Sequence, residues 1–126
     1  MSPSSRRGRR TAPLTFAAVC RLVKRLPGIE EATSYGTPSL KVRGKFLARL
    51  KEDGVTMAVK VGSMEERDFL LRADPRVFFI TDHYKDYPAV LVRLATVKAD
   101  VIFALLEDSW RHVAPRTLVR EYQQAR

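Results

Sequence analysis

Few side chains in this chain are equipped for chemistry, and their spacing limits what they can do. There are two histidines, His83 and His112, and one cysteine, Cys20. Glu30-Glu31 is an isolated acidic pair, and no cysteine–histidine set has the spacing of a zinc cage, so no metal is expected. Neither GxGxxG nor GxxxxGK[ST] occurs, so the glycines that let a backbone cradle phosphates are missing. Asp108, Ser109 and His112 fall within one helical turn. A nucleophilic serine needs a base, an orienter and an oxyanion hole in register. Mid-helix placement offers no free backbone N–H for that hole, and charged side chains four apart are ordinary on a helix surface. Thr81-Asp82-His83-Tyr84 could place a general base on a turn, but nothing elsewhere in the sequence is paired with it. We assign no catalytic residue and no cofactor. Tyr35, His83 and Tyr84 remain as a candidate small-ligand pocket.

The richer chemistry is cationic. Between Ser39 and Val61 the chain reads SLKVRGKFLARLKEDGVTMAVKV. Side chains alternate faces along a strand. Leu40 and Val42 then share one face, and Lys41 and Arg43 the other. By the same alternation Phe46, Ala48 and Leu50 point inward, while Arg49 and Lys51 point out. Val55, Met57, Val59 and Val61 point inward, with Thr56 and Lys60 outward. A sheet with one apolar and one basic face can pack a core and still present cations to a polyanion. Lys41, Arg43, Arg49, Lys51 and Lys60 form the expected phosphate-binding set, extended by Arg93.

The elements that must carry these residues follow from periodicity and punctuation. Residues 1–12 read as a disordered basic arm, with nothing apolar to bury. Residues 13–126 read as one domain. Thr15 is placed to cap a helix whose stripe is Phe16, Val19, Cys20 and Val23, ended by Pro27-Gly28. Cys20 on that stripe is a small core residue. Glu30 to Pro38 reads as a loop. Three strands follow, with turns at Gly44-Lys45 and Glu52-Asp53-Gly54. Ser63 and Glu66 have capping-box spacing. The helix they open has Met64, Phe69, Leu70 and Ala73 as its expected buried stripe. Strands at 77–80 and 89–94 flank the polar turn region TDHYKDYP. A long helix over 98–113 carries Val101, Ile102, Leu105, Leu106 and Trp110. Pro115 opens a last helix, docked by Leu118, Val119 and Tyr122. This order predicts an α+β two-layer sandwich, with an antiparallel sheet of about five strands and helices on one face.

Composition supports both the core and the polyanion reading. The chain has 126 residues, 45% of them hydrophobic, which is enough for one domain with a working core. There are 23 Lys and Arg against 14 Asp and Glu, a net charge of +9. Without Arg6, Arg7, Arg9 and Arg10 of the arm the excess is still +5, so it belongs to the folded part as well. The sequence pI of about 10.2 is the electrostatic footprint expected of a nucleic-acid binder, and is also compatible with an anionic membrane surface or with no partner at all. No apolar run is long enough to span a bilayer, and no apolar segment follows the N-terminal charges as in a secretory signal. A single cysteine fits a reducing cytoplasm.

Several words of the sequence occur together. Leu26-Pro27-Gly28 precedes EATSYGTP (31–38), Leu40-Lys41-Val42 and Gly44-Lys45-Phe46. Thr81-Asp82-His83-Tyr84 precedes Tyr87-Pro88, and Asp108-Ser109-Trp110-Arg111 and Ala114-Pro115 close the set. In this combination the chain resembles the MmcQ/YjbR-like family of small bacterial proteins, over roughly residues 14–120. The resemblance implies an α+β fold of the type shared by frataxin-like and secretion-chaperone-like domains. It also implies the DNA-binding label commonly given to that family for its double-wing fold, and it carries over no catalytic residue. The matching positions are Tyr35-Gly36-x-Pro38, Lys45-Phe46, His83 and Trp110. Where the family has an aromatic tryptophan after the histidine turn, this chain has Tyr87-Pro88-Ala89. The expected function is therefore a non-enzymatic, weakly specific nucleic-acid (DNA) binding module. A protein-interaction or chaperone-like module and a small-molecule site around His83 stand as alternatives.

Overall fold

The computed structural model describes residues 13–125; the basic arm and its arginines lie outside the described residues. Helix α1 (Phe16–Leu22) leads into strands β1 (Ile29–Ser34), β2 (Thr37–Val42), β3 (Lys45–Leu50) and β4 (Thr56–Lys60). Helix α2 (Met64–Ala73), strand β5 (Phe78–Phe79), a 3-10 turn (Asp82–Tyr84), strand β6 (Ala89–Arg93) and helices α3 (Ala99–Val113) and α4 (Arg116–Gln124) complete the chain. The six strands form one sheet in the order β1-β2-β3-β4-β6-β5, every pairing antiparallel. The α+β architecture is as expected, with six strands rather than five. The added strand is β1, in the segment read as a loop.

Caps and turns account for the local structure. Thr15 Oγ1 accepts from the Ala18 N–H at 3.1 Å and starts α1. Ser63 Oγ accepts from Glu66 N–H at 3.1 Å and starts α2. The reciprocal half of the capping box is shifted by one residue: the Glu66 carboxylate accepts from Gly62 N–H instead. The hairpins β1–β2 and β2–β3 each close with two residues, Tyr35-Gly36 and Arg43-Gly44, all four at positive φ. That is the backbone of a type I′ turn, which matches strand twist.

One face of the sheet is sealed. Leu40, Val42, Leu47, Met57, Val59, Val90 and Val92 are buried with Val19 and Val23 of α1 and Ile102, Leu106 and Trp110 of α3. Trp110 is fully buried and donates its indole N–H to Pro27 O at 2.8 Å. Its ring meets Tyr122 of α4 edge-on at 5.1 Å. Gly28 allows this close approach, because at φ +78° a Cβ there would lie 2.8 Å from Leu118 Cδ1.

Two directions differ from simple alternation. The β2–β3 register shifts at Leu40/Lys41, so that Ala48 faces Leu40 but Phe46, two residues back, faces Lys41. Leu47 is the extra residue of a bulge and joins Ala48 in the core. Phe46, expected inward, is thereby turned to the open face. In α2 the expected buried stripe is mostly outside: Phe69 is 62% exposed and Met64 is exposed, whereas Arg67 is buried.

Candidate nucleic-acid interface

The uncovered face of the sheet holds a groove of about 910 Å³. Ala58 and Ala89 lie on paired strands at its base, and their short side chains leave the space open. Tyr35, Phe46, Tyr84 and Tyr87 supply aromatic lining, with Lys41, Arg49, Lys60 and His83 as its basic residues. None of its lining residues is acidic. Tyr35 is 82% exposed and Tyr87 57% exposed, so both are largely open to solvent.

The groove brings together only part of the expected cationic set. Lys41 and Lys60 line it, and the ammonium group of neither makes a hydrogen bond or ion pair among the described residues. Arg49 lines it as well but is only 8% exposed. Its guanidinium donates to Thr37 Oγ1 at 3.0 Å, pairs with Glu52 at 3.3 Å and stacks 5.0 Å from the centre of the Tyr35 ring. Lys51 donates to the Tyr84 hydroxyl at 3.0 Å, which ties the end of β3 to the histidine turn. Arg93, further along the open face, donates to Pro75 O at 3.0 Å and covers the Phe79 ring at 4.1 Å. Arg43 is not on this face. It occupies the β2–β3 turn, and a Cβ on Gly28 would lie 3.5 Å from its Nε, beside Leu118 of α4.

The candidate pocket residues do come together. Tyr35 sits in the β1–β2 turn on one side of the groove, while His83 and Tyr84 sit on the other with Tyr87. The His83 ring meets Tyr84 edge-on at 5.2 Å and lies 6.3 Å from Tyr87. The loop that carries them is held by a residue whose role periodicity does not reveal. Arg67 of α2 donates from one guanidinium nitrogen to Tyr84 O, Lys85 O and Tyr87 O at 3.2, 2.9 and 3.3 Å. Asp68 pairs with the same guanidinium at 3.0 Å. A buried arginine with several carbonyl partners orders the backbone it binds.

The other constellations have different fates. Ser109 is buried and donates its hydroxyl to Lys60 O, which removes it as a nucleophile. Asp108 and His112 instead meet Glu66 of α2. A hydrogen bond with Asp108, burial and the Asp108 charge together raise the Glu66 carboxyl above its ordinary range. Cys20 is buried in the core, and its thiol is pushed up to about 11 by burial and by the neighbouring Glu31. It is a packing residue rather than a reactive one. Among the described residues no helix is long and apolar enough to cross a membrane.

The YjbR family model matches residues 24–112. The chain belongs to the YjbR family. That span contains every residue of the groove, from Thr33 to Ala89, and ends just before α4. Uncharacterised proteins of Mycobacterium tuberculosis and Mycobacterium bovis are 35% identical over 69 residues, which cover 55% of this chain and 54% of each relative. The chain thus spans about half the length of the curated relatives it matches. A crystal structure of the Deinococcus radiodurans protein DR2400, with a DUF419 domain, superposes with a TM-score of 0.66. The two are 21% identical, and the match covers 86% of this chain and 88% of that one, so they share a fold.

Proposed function

We propose that the open sheet face of this YjbR-family domain binds nucleic acid without catalysis and with weak sequence preference, single strands above duplexes. The observation that carries this reading is the composition of the groove: four aromatic rings, basic side chains and no carboxylate. Single-strand binders combine a cationic track for the backbone with aromatic faces on which unpaired bases stack. A duplex hides those base faces, so exposed tyrosines favour the open strand. Phosphate contacts confer affinity without sequence choice, and the groove contains no helix that could read a duplex major groove.

The free cations set the expected strength. Two or three phosphates neutralised by Lys41, Lys60 and a partly screened third group give a log K against log salt slope of about −1.4 to −2.1 on a single strand. The test is fluorescence anisotropy with a labelled single-stranded oligonucleotide over a salt series. It uses the full chain and a chain lacking residues 1–12, because the arm's four arginines can bind polyanions unaided. Replacing Lys41 and Lys60 together by Gln should flatten the slope by about 1.4 in the shortened chain. If the shortened chain binds no oligonucleotide at low salt, the reading fails. Equal affinity for a mononucleotide and a long oligonucleotide would instead identify a small-ligand pocket, for which a volume of this size is adequate.

A further inference from the structure

A second cluster joins α2 to α3 and shares no residue with the groove. Glu66 belongs to the first turn of α2, and Asp108 and His112 belong to α3. One ligand-capable atom from each lies within 4.8 Å of the other two. The imidazole is oriented: Nδ1 stands 2.9 Å from Asp108 O and 4.0 Å from Asp108 Oδ2, so donation of its proton to that carbonyl leaves Nε2 with a free lone pair on the side of Gly62 and Glu66 Oε1. Metal-bound histidines are commonly oriented through such a bond from the other ring nitrogen to a backbone carbonyl. The approach is also cleared by a glycine. A Cβ at Gly62 would stand 2.5 Å from His112 Nε2 and 2.8 Å from Glu66 Oε1, so only glycine lets both atoms converge there.

We propose that Glu66, Asp108 and His112 bind a divalent transition-metal cation of the zinc class, which links α2 to α3. One imidazole nitrogen and two carboxylates suit zinc, nickel or cobalt rather than magnesium, which prefers oxygen ligands and retains its waters. Tetrahedral zinc holds such ligand atoms about 3.3 Å apart. Binding would draw the three atoms in from their present separations of up to 4.8 Å to that spacing. Half-exposure of the histidine leaves the remaining coordination positions to water.

The test is calorimetric titration of the metal-free full chain with Zn²⁺, with Mg²⁺ as the comparison. One equivalent of Zn²⁺ should bind, and Mg²⁺ at the same concentration should not. His112→Gln should weaken Zn²⁺ binding by about tenfold or more, whereas His83→Gln should leave it unchanged. Gly62→Ala is the sharper variant, because it retains all three ligands and displaces the ring. It should weaken binding like His112→Gln while the unfolding temperature without metal stays close to that of the parent. Absence of a one-equivalent event, or equal binding by the parent, His112→Gln and Gly62→Ala, would overturn the site. So would Mg²⁺ binding that survives His112→Gln.

Discussion

Lys41 and Lys60 differ from Arg49, Lys51 and Arg93 in a way that residue type does not show. All five lie on or beside the same uncovered face of the sheet. The first two are unpaired, whereas the other three each donate to an oxygen of the chain itself: Thr37, Tyr84 and Pro75. A cation already bonded to its own protein has less to gain from a phosphate, and engaging one means giving up that bond. The open face therefore has a structural part, where cations fasten turns and loops, and a part that the proposed function makes receptive, where two lysines stand among exposed rings. Net charge counts both parts equally; binding should not.

The strongest test of this division acts from beneath it. Trp110→Ala removes a fully buried indole from the covered face and its hydrogen bond to Pro27. Truncations of this size cost about 3–5 kcal/mol. Chemical denaturation should show that loss. Under conditions where the variant remains folded, its oligonucleotide affinity should match the parent's. Altered affinity in the folded variant would mean that the two faces are coupled.

A smaller effect should come from Arg67, which holds the groove's histidine loop from α2. Arg67→Met leaves Tyr84 O, Lys85 O and Tyr87 O without that donor. The expected cost is about 1–3 kcal/mol. Amide exchange across residues 82–87 should accelerate more than exchange in β3 or β4. Oligonucleotide affinity should fall with it, because Tyr84 and Tyr87 lose their fixed positions. Unchanged affinity would exclude this loop from the binding surface.

The paired and free cations can then be compared directly. Arg49→Gln gives up a buried guanidinium with Thr37, Glu52 and Tyr35 as partners, and should cost about 1–2 kcal/mol of stability. Lys60→Gln should cost less than about 0.5 kcal/mol, as exposed substitutions do. The salt slope should respond in the opposite order, flattening by about 0.7 for Lys60 and hardly at all for Lys51→Gln. Equal slope changes for Lys51 and Lys60 would remove the distinction.

The layered fold and the covered face were legible because they rest on repeated patterns. Alternation along β4 and the helical stripe of α3 each involve several apolar residues, and one exception does not disturb them. The misread parts depend on single events. β1 is an edge strand in which Glu30, Glu31, Thr33 and Ser34 outnumber Ile29 and Ala32, polar as exposed edges tend to be, and the Gly36-x-Pro38 that follows it reads as a loop. Pro38 is tolerated in β2 because it lies beyond the last residue paired with β3. The bulge at Leu47 reverses Phe46 without a glycine to announce it. The β2–β3 turn begins one residue earlier than expected, which takes Arg43 off the face that Lys41 occupies. Arg67 was hidden because an arginine within an amphipathic helix reads as exposed. For the groove, residue types were visible in the sequence but pairing was not: which cations are free depends on Thr37, Tyr84 and Pro75 arriving from other elements.

At Tyr35 stability and binding should move in opposite directions, each by a small amount. Tyr35 holds φ at 56° in a two-residue turn. The left-handed region costs a side chain with a Cβ about 1–2 kcal/mol, and asparagine tolerates it best after glycine. The ring is 82% exposed, so little burial offsets that cost, although it does stack on Arg49. Tyr35→Asn should therefore stabilise the domain by about 0.5–1 kcal/mol, the strain relieved less the lost cation–π contact. If the ring stacks on a base, the same variant should lose about 1 kcal/mol or more of oligonucleotide binding. Denaturant midpoints and anisotropy titrations on one protein preparation measure both quantities. A variant that gains stability and keeps its affinity would show that the exposed ring serves only Arg49, and the receptive part of the face would shrink to Lys41, Lys60 and the histidine loop.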